Sequence, residues 1–268
     1  GFSDKDIAMR LKTTEGKIRM KRIKQGIVPI VKQIDTLAGE FDAQTNYLYT
    51  TYHGTEHDVE PLGLSGRTAS SGPAVRPLIV LGSGPYSIGS SVEFDWSAVN
   101  AVKTLRAHGR ATIVINSNPE TVSTDFDRSD RLYFEELTFE RIQDIADFEG
   151  NPSIVVSVGG QAANNVALPL TSAGYTLLGT SSESIDRAED RQKFSAMLQD
   201  LGIDQPEWVE ARSLGQAKKF AKTVGYPVLI RPSYVLSGGA MNVVNDEIAL
   251  ARYLTEATQL SPDHPVVL

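Results

Sequence analysis

Leu78-Ile79-Val80-Leu81-Gly82-Ser83-Gly84 is four continuous apolar residues ending in a glycine-rich turn. Ala111-Thr112-Ile113-Val114-Ile115 repeats the pattern and ends in Asn116-Ser117-Asn118-Pro119. Ser153-Ile154-Val155-Val156-Ser157-Val158 does so again, ending in Gly159-Gly160-Gln161. Unbroken apolar runs of this length suit strands buried on both faces, as in a parallel sheet. Helical patterns fill the gaps: Val92 to His108 with Gly109 as C-cap, Phe139 to Phe148, and Ala162 to Ala173 closed by Gly174. Strand, polar loop and helix in repetition predict an open α/β domain over residues 77–190. Ligands of such a sheet bind beyond the carboxyl ends of its strands, where all three polar loops fall.

Outward from this core the pattern changes twice. Past residue 190, helices are predicted over Arg191 to Leu201, Leu214 to Val224 and Asp246 to Thr258. Val228 to Pro232 reads as a strand, Ser237-Gly238-Gly239 as a loop, Met241 to Val244 as a return strand, and Pro265 to Leu268 as the start of another. Together they predict an α+β unit over 191–268, distinct from the parallel sheet. Upstream, residues 1–52 read as helical. Ser3 caps a first helix with Asp4 and Asp6 in its first turn, and Thr13-Thr14-Glu15 caps a second carrying Ile18, Met20 and Ile23. The basic run Lys17 to Lys24 reads as a solvated helix face rather than a nucleic-acid patch. Residues 53–76, rich in Gly, Ser, Pro and Thr, read as a flexible linker on which His53 and His57 are solvated rather than metal-bound.

Composition narrows the function. Among 268 residues, 26 Lys and Arg face 33 Asp and Glu, for a formal net charge of −7. That balance argues against a general nucleic-acid or membrane-surface binder. The chain has no cysteine, which removes disulfides, Cys-ligated zinc, iron–sulfur clusters and thiol nucleophiles. No apolar run approaches the ~20 residues of a membrane-spanning helix. The start at Gly1-Phe2-Ser3 and the stop inside Val266-Val267-Leu268 are what a piece of a longer chain would show.

Four groups of residues could carry chemistry. The loop Gly82 to Gly89 follows a strand and precedes a helix, where backbone N–H groups can cradle an anion. Its third glycine falls one residue late for a dinucleotide fingerprint, and the second strand lacks the acidic ribose ligand, which disfavours a nicotinamide oxidoreductase. A tight turn needing glycine for clearance remains the alternative. The second loop, Asn116 to Asp127, offers Glu120, Asp125 and Asp127, with Glu93 at the start of the preceding helix. These carboxylates either line a polar path or cap helices and pair with Arg128 and Arg131. Arg191 and Arg231 are the phosphate candidates, because a guanidinium presents a planar fork of donors. Surface ion pairing is the alternative for both. Ser237-Gly238-Gly239 can close over a nucleotide.

The longer motifs resemble the carbamoyl phosphate synthetase family. They are Asn118-Pro119-Glu120-Thr121-Val122-Ser123-Thr124-Asp125-Phe126-Asp127, Asp186-Arg187-Ala188-Glu189-Asp190-Arg191 and Arg231-Pro232-Ser233-Tyr234-Val235-Leu236-Ser237-Gly238-Gly239-Ala240-Met241. Gly1-Phe2-Ser3-Asp4 and Val31-Lys32-Gln33-Ile34-Asp35-Thr36 match as well, so only the linker is uncovered. The resemblance implies the end of a helical oligomerisation domain over 1–52 and a Rossmann-like pre-ATP-grasp domain over 77–190. It also implies the opening of an ATP-grasp domain over 191–268. It implies ATP contacts from Arg191, Arg231, Ser237, Gly238, Gly239 and Met241, a carbamate path past Glu93 and Glu120, and Mg²⁺ held by carboxylates beyond Leu268. Partners implied are the rest of a large chain, a glutamine amidotransferase and a possible homo-oligomer, in the cytoplasm or the mitochondrial matrix. An assembly or regulatory segment without catalysis, with residues 1–52 mediating self-association, is the rival reading of the chain.

Overall fold

The computed structural model describes residues 2–43, 45–62, 76–86, 91–232, 241–260 and 266–268. Contacts divide the chain into two compact units, Gly1–Thr180 and Ser181–Leu268. The first runs α1 (Asp4–Arg10), α2 (Glu15–Lys24), β1 (Ile30–Gln33), β2 (Tyr47–Thr51), β3 (Leu78–Leu81), α3 (Val92–Ala107), β4 (Thr112–Ile115), β5 (Arg131–Tyr133), α4 (Phe139–Phe148), β6 (Ser153–Val155), α5 (Gly160–Asn164), α6 (Ala167–Ser172) and β7 (Leu177–Leu178). The strands form one sheet in the order β1-β2-β5-β4-β3-β6-β7, parallel except that β1 runs antiparallel to β2. Every residue of β3 and β4 is buried, as their unbroken apolar runs predict. Val80, Val114 and Leu132 pack under Ala98 and Val102 of α3. The units β3–α3–β4 and β5–α4–β6 step along the sheet in opposite directions. Right-handed crossovers therefore put α3 on one face and α4 on the other.

Residues 1–52 are helical only in their first half. Ser3 caps α1 in a reciprocal capping box with Asp6. Ile30–Gln33 and Tyr47–Thr51 are strands, and β2 pairs parallel with β5. Both are short and rich in β-branched and aromatic residues, so an available sheet edge decides their state. The basic run on α2 also differs from expectation. Arg19 and Arg22, three apart and so on one helix face, are buried rather than solvated. Arg19 pairs with Asp144 and with Asp147 at 2.6 Å; Arg22 pairs with Asp4 at 2.9 Å and Asp144 at 3.0 Å. The exposed positions of α2 include Lys17, Lys21 and Lys24.

The first ten residues of the expected linker are tied down. Asp58 N donates to Val31 O at 3.0 Å, Val31 N donates to His57 Nδ1 at 2.9 Å, and Gln33 N donates to an Asp58 carboxylate oxygen at 2.9 Å. Leu62 N donates to the buried Glu149 at 2.7 Å. The strap thus occupies polar groups on the open side of β1, where an unpaired edge would otherwise invite another chain. Residues 63–75 lie outside the described residues. The helix expected from Ala162 to Ala173 is two pieces, α5 and α6. Pro169, which has no N–H to donate, fits only in the opening turn of the second.

The second unit runs α7 (Ser182–Glu189), α8 (Arg191–Asp200), β8 (Glu210–Ala211), α9 (Leu214–Val224), β9 (Val228–Pro232), β10 (Asn242–Val244), α10 (Glu247–Leu260) and β11 (Val266–Val267). Its strands form an antiparallel sheet in the order β10-β9-β11-β8. Ile230 and Val244 on the sheet meet Ala217, Ala221, Leu250 and Ala257 on the helices in one core. Sequence character changes near residue 190, but the break in packing precedes α7, whose Asp186 pairs with Lys193 of α8.

Candidate functional site

Beyond the carboxyl ends of β3 and β4 the first unit is packed with polar groups. Asn116, fully buried, accepts from Gly84 N at 3.0 Å and Asn118 N at 3.3 Å through Oδ1. Its Nδ2 donates to Thr121 Oγ1 at 3.2 Å and Ser123 Oγ at 3.3 Å. A Cβ on Gly82 would stand 2.6 Å from the Asn116 side chain, so glycine is required for this approach. At Gly84 the N–H that could have cradled an anion is used by Asn116, which supports the clearance reading of that turn. Ser87, Ile88 and Gly89 lie outside the described residues.

Glu93 and Glu120 both come to this end of the sheet and both are exposed. A hydrogen bond from the Ser91 hydroxyl holds the Glu93 carboxyl below its usual range. Glu120 is carried on a turn in which its N donates to Asn118 Oδ1 at 3.0 Å. Asp125 and Asp127 pair with Arg128, whereas Arg131 turns inward to Glu149 at 2.6 Å. The carboxylate that organises the loop is Asp95, which sequence reasoning missed. It is buried, and it accepts from Val122 N at 2.9 Å and Ser123 N at 3.1 Å, capping the 3-10 turn Val122–Thr124. An acidic residue in the first turn of a helix reads as a dipole partner, so only the fold distinguishes Asp95 from Glu93. Asp95→Ala leaves two amides without their acceptor. The expected loss is about 1–3 kcal/mol in urea unfolding, with faster amide exchange at Val122 and Ser123.

In the second unit Arg191 opens α8, where Asp190 caps the helix by accepting from Lys193 N at 3.0 Å. Arg231 lies on β9, forty residues away in sequence. The fold brings them together: Arg191 Nε donates to Pro232 O at 3.2 Å, on the residue after Arg231. Burial first, and then the neighbouring Arg231 charge, push the Arg191 guanidinium below its ordinary value, with Glu189 opposing. Arg231 Nε is buried with no hydrogen-bond partner among the described residues. Two like charges held together, one with a buried donor unused, are costly without an anion between them. Met241 is exposed just before β10, and Ser237, Gly238 and Gly239 lie outside the described residues.

A family model described as the carbamoyl phosphate synthase preATP-grasp domain matches residues 74–187. One described as the carbamoyl-phosphate synthase L chain, ATP binding domain, matches residues 190–267. The chain belongs to the carbamoyl phosphate synthase large-chain family. It is 59% identical over its whole length to the arginine-specific large chain of Cutaneotrichosporon cutaneum, of which it covers 22%. It is 52% identical to the multifunctional protein pyrABCN of Emericella nidulans, covering 11% of it. It is 54% identical to the mitochondrial carbamoyl-phosphate synthase (ammonia) of Rattus norvegicus, covering 17% of it. The chain thus spans between about a tenth and a quarter of these relatives, and is similar to one segment within larger proteins. Among solved structures, the biotin carboxylase domain of Hydrogenobacter thermophilus 2-oxoglutarate carboxylase superposes with a TM-score of 0.54 at 19% identity. That match covers 71% of this chain and 43% of the other, and it shows a shared mixed α/β fold. No helix among the described residues is long and apolar enough to cross a membrane.

Proposed function

We propose that this chain is part of an ATP-dependent enzyme that phosphorylates carbamate to carbamoyl phosphate, for arginine or pyrimidine synthesis. The observation that carries the reading is the Arg191–Arg231 pair, with its like charges together and a buried Arg231 N–H that has no partner among the described residues. That arrangement fits a polyphosphate. Arg191 and Arg231 would hold the ATP phosphates, Met241 would flank the nucleotide, and Ser237, Gly238 and Gly239 would close over it. When bound, ATP supplies the phosphoryl group. The protein's task is then positioning and charge neutralisation rather than covalent chemistry. Mg²⁺ would be held by carboxylates outside these 268 residues. In the first unit, Glu93 and Glu120 would line a polar path for carbamate, held in place by the Asn116 and Asp95 networks. Residues 1–52 would be the end of an oligomerisation domain, 77–190 the pre-ATP-grasp domain and 191–268 the opening of the ATP-grasp domain. The remainder of a large chain and a glutamine amidotransferase subunit or domain would complete the enzyme, in the cytoplasm or the mitochondrial matrix.

On this reading the 268-residue chain binds ATP but does not turn it over. Calorimetric titration with ATP is expected to show binding. Incubation with ATP, Mg²⁺, bicarbonate and ammonia is expected to yield no carbamoyl phosphate. Synthesis by this chain alone would contradict the assignment of the metal ligands elsewhere. Failure to bind ATP would contradict the phosphate role of the two arginines.

A further inference from the structure

Arg191 stands where a helix least favours a cation. As the first residue of α8 it lies at the positive end of the helix dipole, and the like charge of Arg231 is close by. Helix stability therefore does not account for its place. Apolar packing does not hold it either, because none of the ten residues of α8 is buried. Between them α7 and α8 leave an open cleft of about 500 Å³, with Asp186, Lys193 and Met197 in its lining. What fixes the start of α8 is a polar corner built on Asp190, the single residue between the two helices. Its backbone N–H donates to Asp186 O at 2.9 Å and closes α7. Its carbonyl accepts from Phe194 N at 2.8 Å and its carboxylate accepts from Lys193 N at 3.0 Å, and these two bonds open α8. The Lys193 ammonium reaches back to the Asp186 carboxylate and staples the helices across the corner.

One residue thus ends α7, starts α8 and carries Arg191 as its next neighbour. The far end of the Arg191 side chain is tied to β9, where its Nε donates to Pro232 O at 3.2 Å. We propose that Asp190 is a positioning residue for ATP, a role that rests on the phosphate reading of the two arginines. By capping α8 it holds the Arg191 guanidinium against β9, beside Arg231, before the nucleotide arrives. Asp190 itself touches no part of the ligand. A cap satisfies amide donors that a helix start otherwise leaves without an acceptor. When the cap is lost the first turn of α8 frays and Arg191 moves with it. Binding must then supply the ordering that the corner supplies in advance, and affinity falls by that amount.

Calorimetric titration of the 268-residue chain with ATP tests this, with urea unfolding run beside it. Asp190→Ala is expected to raise the dissociation constant about 5–10-fold, the scale of one helix cap. Asp190→Asn caps as well without the charge and is expected to bind within about twofold of the wild type. Ser213→Ala removes the corresponding cap from α9, where Ser213 accepts from Gln216 N at 3.3 Å. It is expected to lower the urea midpoint as Asp190→Ala does and to leave the ATP affinity unchanged. Unchanged affinity in Asp190→Ala would overturn the proposal and leave the phosphate reading of the arginines intact. An asparagine variant as weak as the alanine one would also overturn it, by giving the role to the charge rather than the cap. A Ser213→Ala variant weakened to the same extent would do so too, by reducing the effect to a general loss of stability. A wild-type chain that binds no ATP would remove the phosphate reading, and the role of Asp190 with it.

Discussion

Replacing Asp144 with alanine is expected to lower the unfolding free energy by about 3 kcal/mol, the lower end of what breaking a buried ion pair costs. Asp144 accepts from Arg22 at 3.0 and 3.1 Å and also pairs with Arg19, and all three side chains are buried. Its removal leaves two guanidiniums short of a partner in a region from which water is excluded. The loss stays at the lower end because each arginine keeps another acid, Asp4 for Arg22 and Asp147 for Arg19. Asp147→Asn provides the contrast. Its side chain is 42% exposed, so water can replace the bond, and the expected change is below about 1 kcal/mol. Urea unfolding of the two variants checks both values. A double-mutant cycle between Asp144 and Arg22 would then separate their pairing from the cost of a stranded charge. Near-zero effects at Asp144 would mean that α1 and α2 are held to α4 by apolar contact, and that the buried charges merely coexist with it.

The same cluster shows where sequence reasoning reaches and where it stops. Leu78–Leu81 declares itself because a doubly buried strand is written in consecutive residues. Leu214–Val224 and Val228–Pro232 are bounded by local signals, a serine cap and Gly225. Arg19 and Arg22 carry no such signal. They are buried because α4, more than a hundred residues later, presents Glu140, Asp144 and Asp147 at helical spacing. Strand β5, three residues starting with an arginine, has no period to read and exists because β2 and β4 flank it. His57 and Asp58 read as loop residues, yet their side chains accept from backbone N–H groups of β1. The candidate phosphate residues were legible as types, an arginine at a helix start and one on a strand. Their juxtaposition is a property of the fold, and so is the distinction between Asp95 and Glu93.

Arg231→Ala should abolish the ATP-dependent rise in the thermal midpoint of the chain while leaving the nucleotide-free midpoint unchanged or higher. A ligand that binds only the native state at a hundred times its dissociation constant adds about 2.7 kcal/mol, so its loss is easily read. The sign of the nucleotide-free effect carries the argument. If Arg231 were structural, its removal would cost a partner and lower the midpoint. Its neighbour is instead Arg191, whose charged form is disfavoured by burial and then by Arg231 itself. Removing Arg231 relieves that repulsion and also removes a buried N–H that has no acceptor among the described residues. A residue that costs stability in the free protein and is needed for the ligand is the signature of a binding site rather than a scaffold. In a full large chain carrying the substitution, carbamoyl phosphate synthesis should fall by about 10²–10³-fold, the scale of losing one donor to developing negative charge. Arg231→Lys should recover only part of it, since an ammonium restores the charge but not the planar fork. A variant that melts early and still binds ATP would place Arg231 in the framework of β9 and leave Arg191 as the phosphate residue.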